Sequence, residues 1–306
     1  MAVERERVRF ASADTDCVAW HYPGSNGACV VMAGAFAMTR EPATDRFAAR
    51  FQDDGFGVLA FDYRRLGESG GHPRQVVRVG DQLADWRAAI GTARSLPGVD
   101  RVAIWGLSVS GGHVMRVAAR DPRVAAAIAH SPFVDGRDAV RNAVRHQTPR
   151  GLAGLAALGV LDALGGLVGR RPLLVPTAGE PGAVALATTP DADGSAALDP
   201  DGRYDGWART VAARSALRLG CYRPGRSARR VRCPLLVLVC DGDTSDRPGP
   251  AIRAAAEAPR GELVRVPGDH HATYRGAHEL AVAAEVSFLR RHLLAAPADG
   301  TVAAAG

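Results

Sequence analysis

Two serines compete for one role in the stretch Trp105-Gly106-Leu107-Ser108-Val109-Ser110-Gly111-Gly112. A serine nucleophile raised on a sharp strand-to-helix turn needs small residues two positions before and two after it, because strand and helix approach closely there. Centred on Ser108 the pattern reads G-x-S-x-S, and centred on Ser110 it reads S-x-S-x-G. Ser108 is favoured. The run "VAIWG" (102–106) reads as a buried strand ending on Gly106, and Ser110 is small enough to stand where glycine is usual. Ser110 and Gly111 would then open the next helix, whose free N–H groups suit a developing negative charge. Taken alone, the motif also admits a lesser reading as a Gly/Ser-rich turn without chemistry.

Its partners decide the matter. A serine hydroxyl needs a base to remove its proton, and the base needs a carboxylate to orient it, in the chain order Ser, Asp, His. After the strand-like "PLLVLVCD" (234–241) come Asp241, Asp243 and Asp246. Asp243 is favoured, one short turn beyond the strand, with Asp241 and then Asp246 as alternatives. His270 follows the turn that ends the next strand-like run, "ELVRVPG" (262–268), and is favoured over His271. The gap from Ser108 to Asp243 accommodates an insertion, and the gap from Asp243 to His270 one helix and one strand.

The oxyanion that forms on acyl attack requires two N–H donors. Val109 supplies one, and Phe36, in the loop "MAGAFAMTR" after the strand "ACVVMAG" (28–34), the other. Ala35, and His130 near the end of "VAAAIAHSPFV", are candidate substrate contacts. His21, His72, His113 and His146 read as structural or surface residues. The adjacent His270 and His271 diverge on most backbones and lack an acidic or Cys/His cluster beside them, so no metal is expected, and the chemistry calls for no cofactor.

These side chains must be carried by a regular scaffold, and the remaining sequence supplies one. After two opening strands (7–11 and 17–23), short apolar runs alternate with amphipathic segments at 43–54, 80–96, 110–120, 251–258 and 277–294. That alternation implies an α/β fold with a parallel sheet covered on both faces. Residues 136–231 interrupt it and read as a mostly helical cap inserted into a core of 1–135 and 232–295, with 296–306 as a flexible tail. Within the cap, "GLAGLAALGVLDALGGLVGRR" is expected to be an amphipathic helical hairpin rather than a membrane span, since Asp162 and several glycines interrupt it.

The formal charge is +6, and all 38 basic residues are arginine. The run "RPGRSARRVR" lacks interleaved aromatics and is expected to be a solvated surface segment, so neither nucleic acid nor membrane is expected as a partner. Five cysteines, odd in number and without C-x-x-C spacing, argue against a disulfide framework or zinc site, and a cytoplasmic location is expected.

At this point the sequence resembles the α/β-hydrolase superfamily, and more narrowly its dienelactone-hydrolase-like and Xaa-Pro dipeptidyl-peptidase-like serine hydrolases. "FDYRRLGESGG" (61–71), "IWGLSVSGGHV" (104–114), "CPLLVLVCDGD" (233–243) and "VPGDHHATY" (266–274) carry the resemblance. It implies a mostly parallel sheet flanked by helices, and a Ser108-Asp243-His270 triad. Two departures stand out. The family's oxyanion loop usually reads H-G-x-x, but here it is Gly34-Ala35-Phe36-Ala37, which makes the hole the weakest catalytic element. Relatives often carry an aromatic and then an acid after the catalytic histidine, where this chain has His271 and Ala272. The function expected is hydrolysis of a carboxylic ester or thioester of a small hydrophobic acyl compound. The alternatives are an acyltransferase or polyketide tailoring or releasing enzyme using the same nucleophile, and a non-catalytic binding protein on the same scaffold. Oligomeric state is not legible in the sequence.

Overall fold

The structure, a computed structural model, describes residues 5–294, so the tail expected at 296–306 lies outside the described residues. In chain order the elements are β1 (Glu6–Ser12), β2 (Thr15–Tyr22), β3 (Ala28–Ala33), α1 (Arg40–Asp53), β4 (Gly57–Phe61), α2 (Val79–Ser95), β5 (Arg101–Leu107), α3 (Val109–Ala118) and β6 (Ala126–His130). The insertion then carries α4 (Gly136–His146), α5 (Pro149–Leu167), β7 (Leu174–Pro176), α6 (Ser195–Leu198), β8 (Thr210–Ala212) and 3-10 helices at Ala213–Cys221 and Pro224–Arg230. The core resumes with β9 (Leu235–Cys240), α7 (Pro248–Glu257), β10 (Gly261–Val266), a 3-10 turn at Ala272–Tyr274 and α8 (His278–Leu289), which ends in a π-helical turn to Leu294.

The sheet has eight strands in the order β1-β2-β4-β3-β5-β6-β9-β10. β1 and β2 are antiparallel to their neighbours, and all other pairings are parallel. Every residue of β3, β4, β6 and β9 is buried, as a strand covered on both faces requires. Phe47 and Phe51 of α1 pack with Phe288 and Leu289 of α8 on one face, and Trp86 of α2 with Val114 of α3 and Ala254 of α7 on the other. The sheet therefore brings β3, β5, β9 and β10 to one edge with their C-termini aligned, which is where an α/β sheet places a site.

The turn "FDYRRLGESGG" is structural. Asp62 accepts from the Arg40 side chain and from the N–H groups of Arg40 at 2.7 Å and Glu68 at 3.1 Å, so a buried ion pair pins the start of α1 to the end of β4. Gly67 sits at φ 48°, and a Cβ there would strike the Asp62 carboxylate.

The cap differs from expectation in two respects. It contains a two-stranded antiparallel ribbon, β7 with β8, and long irregular stretches between its helices. The expected hairpin is instead one continuous helix, α5. Its glycines do not break it because they permit close packing: a Cβ on Gly159 would meet Leu217 at 2.9 Å, and one on Gly166 would strike Arg214. Asp162 is buried and paired with Arg214 at 3.0 Å. Among the described residues α5 is the one helix long and apolar enough to cross a bilayer, and Leu161, Leu164 and Leu167 on it face solvent.

The basic run is only partly a solvated face. Arg229, Arg230 and Arg232 are exposed, but Ser227, Ala228 and Val231 are buried and Arg223 pairs with Asp135 at 2.8 Å.

Candidate active site

Ser108 lies between β5 and α3 with φ 52° and ψ −115°, a backbone conformation that a residue with a side chain adopts only when its surroundings impose it. The imposition is visible on both sides. The Ser108 N–H donates to the His130 carbonyl at 3.0 Å, and the Ser108 carbonyl accepts from Gly112 and Phe133. Two positions earlier, a Cβ on Gly106 would lie 2.4 Å from the Ser110 carbonyl, so strand and helix can cross here only over glycine. The Ser108 side chain opens into a cavity of about 360 Å³ between the sheet edge and the cap.

Ser110 faces away from that cavity. Its hydroxyl donates to the Gly34 carbonyl and accepts from Tyr63 Oη at 2.5 Å, while Tyr63 Oη accepts from Trp86 Nε1 at 2.8 Å. The serine at this position is therefore a tether between the elbow helix and the loop after β3. Gln82 adds a second tether by donating to the Phe36 carbonyl at 3.1 Å. Met38 N–H donates to the Ala35 carbonyl at 3.1 Å, which fixes the Ala35–Phe36 peptide plane. The Phe36 N–H has no protein acceptor among the described residues. Val109, the first residue of α3, likewise has no acceptor for its N–H within the helix. Ala35, Phe36 and Val109 all line the cavity. Thus the loop lacks the family's His-Gly yet holds its donor free.

Asp243 and His270 meet as the spacing suggested, with His270 Nδ1 2.7 Å from Asp243 Oδ2 and both side chains buried. Burial works against the imidazolium, but the Asp243 carboxylate outweighs it and pushes the His270 pKa up to about 10. Asp241 is elsewhere, on the surface in an ion pair with Arg265 at 2.7 Å.

Two further carboxylates stand near the site, one ranked low from sequence and one not singled out. Asp246, ranked third as triad acid, accepts the Ser108 hydroxyl proton at 2.5 Å, and its own N–H donates to Asp243 Oδ1 at 2.7 Å. Partial burial raises its pKa to about 7, with the charge of His270 opposing the rise and that of Asp243 adding to it. Asp191, from the cap, accepts from Thr244 N–H at 2.8 Å, Ser245 Oγ at 2.7 Å and His270 N–H at 3.2 Å. Burial alone would raise its pKa, but these donors hold it well below the usual carboxylate range. Only the cluster "CDGDTSD" carried a signal for Asp246, and nothing local pointed to Asp191.

The sequence from residue 25 to 276 matches the family described as "Serine aminopeptidase, S33", a family of α/β-hydrolases. The chain is 40% identical over 291 residues to the quorum-quenching protein AidA of Acinetobacter baumannii, covering 93% of this chain and 94% of that one. It is 39% identical over 113 residues, 36% of each chain, to the thiohydrolase aneE of Aspergillus aculeatus. Among solved structures, the α/β-hydrolase GrgF from Penicillium sp. superposes with a TM-score of 0.80 at 23% identity, covering 95% of this chain and 100% of that one.

The chain belongs to the α/β-hydrolase superfamily of serine hydrolases.

His130 corrects one expectation for this hydrolase. Its side chain is fully buried and both ring nitrogens are engaged, Nδ1 with Glu285 at 2.7 Å and Nε2 with Thr273 at 2.8 Å. The ring packs against Phe47 and Trp105 and does not line the cavity. Only its backbone carbonyl touches the elbow. His271 does line the cavity, with its ring edge-on to His270, and burial lowers its pKa to about 3, so it is neutral. The cavity wall is otherwise mainly apolar, with Met38, Phe133, Val140, Leu152 and Leu155 prominent, and the cap supplies most of it.

Proposed function

We propose that this hydrolase cleaves a carboxylic ester or thioester of a small hydrophobic acyl compound through an acyl-enzyme on Ser108. The observation that carries the reading is convergence: the strained serine, the His270–Asp243 pair and two unpartnered N–H groups all open on one apolar cavity. Ser108 Oγ attacks the acyl carbon, and Phe36 and Val109 N–H groups receive the oxyanion. His270, oriented by Asp243, moves protons between nucleophile, leaving group and water. The apolar wall suits an acyl chain, because its burial there is favourable by about 25 cal/mol per Å². The printed names of relatives, a quorum-quenching protein and a thiohydrolase, agree with a small acyl substrate.

A fluorophosphonate probe on wild type, Ser108→Ala and Ser110→Ala tests the reading. Labelling of wild type and Ser110→Ala, with none in Ser108→Ala, is the expected result. No labelling of wild type would favour a binding protein on a hydrolase scaffold. A p-nitrophenyl ester panel, with and without thiol or alcohol acceptors, then separates hydrolysis from acyl transfer.

A further inference from the structure

α5 turns an apolar side outward. Ala153, Ala157, Val160, Leu161, Leu164 and Leu167 recur at helical spacing, and all six are exposed, Leu161 to 57%, Leu164 to 58% and Leu167 to 82%. The stripe runs about 21 Å along the axis without a charged residue. Beyond the helix, Val168, Leu173 and Leu174 add to the exposed apolar surface. The opposite side of α5 is committed to the protein: Gly159 and Gly166 lie against Leu217 and Arg214, and Asp162 pairs with Arg214 at 3.0 Å. The sequence objection to a membrane, the interruption by Asp162 and glycines, thus falls on the inner side and leaves the outer side clean.

We propose that the outer side of α5 docks the protein on the surface of an anionic membrane, with the helix lying in the interface and not crossing it. Charge selects this occupant. Arg150 stands in the first turn of α5, and Arg170 and Arg171 follow its end; all three are exposed, and none is paired with a carboxylate among the described residues. From residue 139 to residue 179 the one acid is Asp162, which Arg214 already matches on the inner side. An apolar stripe bracketed by cations fits a layer that presents hydrocarbon beneath negative headgroups. A second copy of this chain fits worse. An antiparallel two-fold pairing of the stripe sets Arg150 against Arg170 and Arg171, and a parallel one sets each arginine against its own copy, so like charges meet either way. A full crossing is disfavoured as well, since it would carry Asp162 and Arg214 into hydrocarbon.

Docking requires nothing of the reaction assigned above, though it gives that reaction a setting. Leu152 and Leu155 of the same helix line the cavity into which Ser108 opens. On the hydrolase reading, an acyl compound dissolved in the bilayer is then one helix away from that cavity.

The test is flotation with vesicles of phosphatidylcholine alone and of phosphatidylcholine mixed with phosphatidylglycerol. Wild type, Leu164→Glu/Leu167→Glu and Arg170→Ala/Arg171→Ala are compared, with light scattering to give the mass of each. Thermal melts and p-nitrophenyl acetate turnover should match wild type in both variants, because these side chains are exposed and lie outside the cavity. Wild type is expected to bind the anionic vesicles at least about tenfold more tightly than the neutral ones, and to lose that preference in high salt. The leucine variant should lose at least about tenfold in binding to the anionic vesicles, and the arginine variant only the anionic preference. Wild type that floats with neither vesicle, or a leucine variant that floats as well as wild type, would overturn the proposal. So would a wild-type dimer that fails to float and that Leu164→Glu/Leu167→Glu converts to monomer, since a second copy would then cover the stripe. Fluorophosphonate labelling of Ser108 is read separately, so the hydrolase reading stands or falls independently of these outcomes.

Discussion

The His270 backbone N–H donates to Asp191 Oδ2 at 3.2 Å, so a residue of the cap holds the loop that carries His270. The same carboxylate accepts from Thr244 and Ser245, beside Asp243. Asp191→Ala leaves these donors unpaired in a half-dry site and is expected to destabilise the protein by about 2–3 kcal/mol in urea unfolding, with kcat falling more than KM changes. The effect has a pH signature. The folded-state carboxyl titrates below its unfolded value, so its contribution is present above about pH 4 and is lost as the pH falls further through the folded value. The stability gap between wild type and Asp191→Asn should therefore be full at pH 7 and shrink toward pH 3. A gap that stays constant across this range would show that the charge of Asp191 contributes nothing.

The identity of the triad acid can be checked by contrast. Asp243→Asn disturbs the tautomer and orientation of His270 and is expected to lower kcat about 10³–10⁴-fold with the fold intact. Asp241→Asn breaks only an exposed pair with Arg265 and should leave ester turnover within twofold of wild type. Steady-state kinetics on one p-nitrophenyl ester suffices, and a large loss in Asp241→Asn would reverse the assignment.

The Ser108, Asp243 and His270 positions were legible because each sits just beyond the C-terminus of a short apolar run, and a parallel sheet brings such ends together. What sequence could not supply was direction and distance. His130 is at the correct height, next to the elbow, but its side chain leaves the strand toward Phe47 and α8, so that only its carbonyl reaches Ser108. A strand's alternation gives two faces without saying which one the site occupies. Asp191 lies 79 residues from His270, inside an irregular segment with no periodicity to read. The glycines of α5 suggested a turn, whereas their use is close packing against a 3-10 helix that only the tertiary structure reveals.

Ser110 and Gln82 together tie the loop after β3 to α3 and α2, at the Gly34 and Phe36 carbonyls. Ser110→Gly restores the usual elbow pattern but cuts the tether to Gly34 and Tyr63. Gln82→Ala frees the Phe36 carbonyl and leaves His113 with one partner, Tyr222. Each substitution is expected to cost about 1 kcal/mol of stability and to lower kcat about tenfold. Because both act through the same loop, the double variant should lose less than the product of the two single effects. Full additivity in the double-variant cycle would mean that the two tethers hold separate things.

The cap should set acyl-chain length, since α4 and α5 furnish Val140, Ala143, Leu152 and Leu155 to the apolar wall of the cavity. Ala143 of α4 lines it beside Val140 and Leu155. Ala143→Trp fills that space without touching Ser108, His270 or the oxyanion loop. On a p-nitrophenyl ester series from acetate to decanoate, kcat/KM for the shortest ester should stay within threefold of wild type. The longest should fall by at least tenfold, because each methylene denied burial forfeits about 0.8 kcal/mol. A uniform loss across the series would place the acyl chain elsewhere and leave this end of the cavity to the leaving group.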